Sequence, residues 1–183
     1  MSIWISIITL IISIILPLIV YRQTKQSNLK AEIRGHLKLG IENVNNKISK
    51  INQDYFESQK NFKFNDCLQW LVNDSKEFKR SNKLSENYQS IFIKHMEVVY
   101  SSYYIHLKYI TELLKESNYK IKEKQSIIQI YIDSMDGQLE YLVIHEINFI
   151  NALKSKNEFE YFCELNFKIR EILIEMDIIP GES

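Results

Sequence analysis

Three carboxylates, Asp133, Asp136 and Glu140, stand at positions i, i+3 and i+7 within "YIDSMDGQLEY", a spacing that sets them on one side of a helix. Such a group can hold a divalent cation. No histidine joins them at ligand spacing, and carboxylates alone at helical intervals describe a solvated face. "HEINF" begins like a zinc-hydrolase motif, but Asn148 and Phe149 stand where the second histidine ligand would be. His36, His95, His106 and His145 are scattered, and no arginine is followed by a histidine four to six residues on, the pairing that helical ribonucleases use. The four glycines are isolated, so no loop cradles a phosphate. Cys67 and Cys163 are far apart in sequence and read as reduced, buried thiols. No cofactor, no metal and no catalytic residue is therefore expected, and the chain reads as a non-enzyme without a small-molecule substrate.

What remains is recognition. "YSSYYIHLKY" brings Tyr100, Tyr103, Tyr104, His106 and Tyr109 into one helical segment, and tyrosines offer large amphipathic contacts at low entropy cost. The plainer reading turns Tyr103 inward and leaves Tyr100 and Tyr104 on the shoulder of a bundle. Lys+Arg and Asp+Glu both number 23, for a formal net charge of zero. Without a basic field, nucleic acid is not expected as a direct partner.

Helices must position any such surface, because 4 Gly and 2 Pro in 183 residues are too few for a fold of many short strands. Leu37, Ile41, Val44, Ile48, Ile51 and Tyr55 recur at steps of four and three, one stripe of a first helix. Phe64, Cys67, Leu68 and Leu71 make a shorter one that breaks near residues 73–75. A long helix opens at Ser85, a plausible N-cap, and carries Tyr88, Phe92, Met96, Val99, Tyr103, Leu107, Ile110 and Leu114. A single helix is expected from about 122 to 153, with Gly137 inside it at a cost of roughly 1 kcal/mol relative to Ala, where another backbone could come close. Phe159, Phe162, Cys163, Ile169, Leu173 and Met176 mark the last, ended by Pro180 and Gly181. The fold class is all-α.

The N-terminus is different in kind. From Ile3 to Tyr21 no residue is charged, and those positions span roughly 28 Å as a helix, close to the hydrocarbon thickness of a bilayer. Trp4 and Tyr21 sit at headgroup depth, Pro17 falls in the last turns, and Ser2, Ser6, Thr9 and Ser13 form a small polar stripe suited to self-association. Arg22 and Lys25, then Lys30 and Arg34, follow the run and none precedes it. The expectation is a retained transmembrane anchor over 1–21, a basic juxtamembrane segment and amphipathic helix over 22–56, and a helical bundle over 57–183. The positive-inside rule then gives a single-pass protein of the bacterial inner membrane, its soluble domain of four to five amphipathic helices cytoplasmic.

The stretch from Val98 to Phe149 resembles the core of the AbiC-like phage abortive infection proteins of bacteria. Tyr104, Leu107, Tyr109, Ile110 and Glu116 match the first helix of that pattern, and Tyr131, Gln138, Leu139 and Asn148 the second. The resemblance implies a helical, membrane-associated protein of antiviral defence, acting through a protein partner, self-association or perturbation of the membrane. Tyr100, Tyr104, Tyr131, Gln138 and Leu139 are the candidate interaction residues. The alternative is an anchor or scaffold subunit of a larger complex.

Overall fold

Leu29, Ile33, Leu37, Gly40, Val44, Ile48 and Ile51 recur at steps of three and four along the first helix, and this stripe faces the body of the protein. The computed structural model describes residues 2–53, 63–84, 90–135, 137–156 and 159–181, without the side chains of 2–12 and 90–93. Seven helices and no strand occur among these residues: α1 (Ser2–Ile51), α2 (Phe64–Ser81), α3 (Ser90–Glu116), α4 (Ile121–Asp133), α5 (Gly137–His145), α6 (Ile147–Leu153) and α7 (Glu160–Glu175). The fold is all-α, a helical bundle. Tyr55, Ser85, Tyr88, Phe92 and Asp136, used in the sequence reading, lie outside the described residues or side chains.

α3 is the central helix. The positions that the periodicity marked, Met96, Val99, Tyr103, Leu107, Ile110 and Leu114, are buried, and α1, α4 and α7 pack around the helix. α1 runs antiparallel to α3. The Asn118 N–H donates to Gln26 (2.9 Å), Tyr109 Oη to Glu32 (2.9 Å), and Asn43 Nδ2 to His106 (3.2 Å). α7 lies along the other side, with Phe162 edge-on to Tyr100 at 4.8 Å between ring centroids.

At Gly40 of α1, side chains of α3 and α4 come close. A Cβ there would stand 3.0 Å from both His106 and the Tyr131 ring, closer than ordinary contact, so a larger residue would make these side chains give way. Gly137 does not have that role. It begins α5, and a Cβ on it would meet nothing within 4 Å.

The single helix expected from 122 to 153 is three. The Ser134 hydroxyl turns back to the Tyr131 carbonyl at the end of α4, and α5 gives way to α6 at Glu146. Two distant side chains hold that second break. Arg170 Nη1 donates to the carbonyls of Val143 (3.2 Å) and Ile144 (2.8 Å) at the negative end of α5. The buried Glu146 carboxylate sits at the positive start of α6 and accepts from Lys79 Nζ at 2.6 Å. By contrast, the break expected near residues 73–75 is absent. Ser75 bonds its hydroxyl to the Val72 carbonyl and α2 continues to Ser81.

The transmembrane anchor must be corrected. No helix of the described residues is long and apolar enough to cross a membrane. Placement as a single-pass protein of the inner membrane with a cytoplasmic domain falls with it. Trp4, Ser6 and Thr9 lie outside the described side chains; Ser13, Pro17, Tyr21, Arg22 and Lys25 lie in α1 and are exposed.

Candidate interaction surface

Most of the residues expected to recognise a partner are in the core. Tyr100, Tyr131 and Leu139 are fully buried, because α7 covers the side of α3 that the shoulder reading left open, and α4 packs its tyrosine against Tyr103 and Gly40. Tyr104 is half-buried, with the Lys168 ammonium 5.9 Å from its ring centroid. Gln138 spends its amide on Gln69 Oε1 at 2.7 Å, tying α5 to α2.

The three carboxylates do not share one helix: Asp133 ends α4, Glu140 is half-buried in α5, and Asp136 lies outside the described residues. Asp133 is exposed and accepts from Gln129 Nε2 at 2.7 Å. Among the described residues no three His, Cys, Asp or Glu side chains come together to hold a metal. Burial pushes the thiols of Cys67 and Cys163 up to about 12, far from the thiolate that reactive cysteines need. A cleft between α3 and α7 is lined by Lys108, Lys115 and Lys168 together with Glu112, Glu171 and Glu175. Its charges compensate one another, the closest pair being Lys115 and Glu175 at 2.6 Å.

The exposed apolar surface gathers elsewhere, at the N-terminal part of α1. Ile14, Ile15, Leu16, Leu18, Ile19, Val20 and Tyr21 are all exposed, and the first buried one among the described side chains of α1 is Leu29. The helix therefore projects its apolar segment ahead of the bundle. Such a patch rivals the largest that monomeric proteins ordinarily show, on the order of 500 Å². No family model, no curated protein and no solved structure matches the chain.

Behind the projection, two histidines mark the α1–α3 contact. The His36 ring packs tilted against Tyr109, 4.3 Å between ring centroids. Burial, then the neighbouring His36 and Lys47, hold the His106 imidazole below its ordinary range, and burial does the same to His95. Neutral His106 accepts the Asn43 amide proton, which a protonated ring cannot do. Because these folded-state values lie below the unfolded one, the unfolded chain binds more protons just under pH 6.5. Stability is therefore full above that value and falls as the pH drops through it, by no more than about 1.4 kcal/mol per pH unit for each group. Thermal melts at pH 7.5 and 5.5 should show the loss, and His106→Gln should shrink it; an unchanged slope in the variant would remove His106 as a cause.

Sequence reasoning missed Gly40, the Lys79–Glu146 pair and the exposed face of α1. Gly40 was findable, since it falls in phase between Leu37 and Val44. The ion pair was not, because 67 residues separate its members.

Proposed function

We propose that this chain is an abortive-infection protein of antiviral defence that acts through protein contacts made by the projecting segment of α1. The observation that carries the reading is the run of exposed apolar side chains from Ile14 to Tyr21, ahead of Leu29, the first buried position among the described side chains. Unpartnered apolar surface on this scale marks an interaction site. The setting in defence rests on the resemblance of Val98–Phe149 to the AbiC-like proteins. The bundle serves to hold and orient the segment, and the interior tyrosines Tyr100 and Tyr131 build that support.

Plating efficiency of a phage panel on bacteria carrying the intact chain, or the double variant Leu16→Glu and Ile19→Glu, tests the proposal. Both side chains are exposed, so the variant should melt like the parent. Protection should drop at least tenfold. Full protection from the double variant, or none from the intact chain, would sink the reading.

A further inference from the structure

α1 carries a second stripe, separate from the one buried against the bundle. Ile14, Leu18, Tyr21, Lys25, Asn28, Glu32, Gly35 and Leu39 alternate steps of four and three without a fault, and every one of them is exposed. Positions so spaced lie along one face of the helix, where a second helix can run beside them; Ile14, Leu18, Tyr21 and Leu39 make its ends apolar, and Lys25, Asn28, Glu32 and Gly35 between them are polar or small. Tyr21, Lys25, Asn28 and Glu32 also line one wall of an open groove whose other wall is Leu113 and Glu116 of α3. A helix laid along the stripe would lie in this groove.

We propose that the chain pairs with itself through this stripe, two copies of α1 lying antiparallel about a twofold axis at Asn28, an assembly that deepens the proposed function and rests on it. The pattern is self-complementary in that register. Tyr21 of one copy falls opposite Gly35 of the other, where a Cβ would meet nothing within 4 Å and a ring has room. Lys25 falls within one residue of Glu32, so opposite charges meet, whereas a parallel pair would set Lys25 on Lys25 and Glu32 on Glu32. The turn from Ile14 to Leu18 brackets Leu39, which is 45% exposed. The antiparallel course of α1 and α3 sets Ile105, 58% exposed, at the same level. The apolar projection of each copy thus covers the exposed apolar residues of the other. The contact runs about 38 Å along α1, and with the α3 edge it approaches the ~800 Å² that each partner of a stable complex buries. An isologous pairing of this kind closes at two copies.

Sedimentation equilibrium of the full chain should give the mass of two copies. Mild oxidation should crosslink Asn28→Cys to itself, and Tyr21→Cys to Gly35→Cys when the two variants are mixed, while Tyr21→Cys alone stays uncrosslinked. The native Cys67 and Cys163 are buried and give little background. Gly35→Trp fills open space in the single chain and blocks the seat of Tyr21, so it should fold normally and weaken association at least tenfold. Glu32→Lys should weaken it too, and adding Lys25→Glu should restore it.

Equal self-crosslinking at Tyr21→Cys and Asn28→Cys would replace the antiparallel register with a parallel one and overturn the proposal. A single chain in solution, whether or not it is recruited to phosphatidylcholine vesicles, would overturn it as well. If that single chain still loses phage protection with Leu16→Glu and Ile19→Glu, the proposed function stands and only the pairing falls. If the chain pairs as described while that double variant keeps full protection, the pairing stands and the proposed function falls.

Discussion

Tyr131→Ala should lower the unfolding free energy by about 4 kcal/mol, the range for deleting a large buried aromatic ring. Tyr131 has no exposed surface and lies where α1, α3 and α4 meet. Its ring stands edge-on to Tyr103, 5.8 Å between centroids, and fills the space above Gly40. Truncation therefore opens a cavity between three helices that cannot easily close, because the α1–α3 spacing is held on either side by His106 against Asn43 and by Tyr109 on Glu32. The hydroxyl contributes little by comparison. It reaches the Tyr103 carbonyl at 3.4 Å, a long bond, and Tyr131→Phe should cost about 1 kcal/mol or less. Urea denaturation followed by circular dichroism reads both values. A loss under about 2 kcal/mol for the alanine variant would mean that α4 is not part of the cooperative core.

Lys79→Met is expected to cost about 3 kcal/mol, at the low end for breaking a buried ion pair. The carboxylate of Glu146 has no exposed surface, whereas the side chain of Lys79 is 53% exposed, so water can replace part of what the ammonium supplied. The damage comes from the acid left behind. Changing both residues, Lys79→Met with Glu146→Met, removes the buried charge as well and should recover most of the stability, as apolar replacements of buried pairs often do. A double-mutant cycle on the same denaturation assay isolates the coupling. Equal stability of the single and double variants would show that Glu146 does not depend on Lys79. The site also bears on Tyr141, whose phenol is held above its ordinary range beside the Glu146 carboxylate.

Periodicity carried the elements that bury one face along their whole length. In α3 and α7 the marked positions from Met96 to Leu114 and from Phe159 to Leu173 are buried as expected, because a helix packed on one side repeats its core residues every three to four positions. The interruptions were less legible. Nothing local in "LVIHEINF" stops a helix, and the break at Glu146 depends on Arg170 and Lys79, which arrive from α7 and α2. Tyr100 was unreadable for the same reason: α7 decides that its side of α3 is interior. The apolar N-terminus showed the limit of counting hydropathy, which gives the length of a run and not what lies against it. No helix of the described residues is long and apolar enough to cross a bilayer, and the side chains from Ser13 to Tyr21 stand exposed at the front of a helix whose later turns are core.

That continuity has a mechanical consequence. α1 is one helix from Ser2 to Ile51, and between Tyr21 and the first buried contact at Leu29 it contains neither proline nor glycine. The segment is a stiff lever arm rather than a tether. Whatever grips it fixes the heading of the whole body, and torque applied there passes along the rod to the crossing at Gly40, where α3 and α4 bear on it.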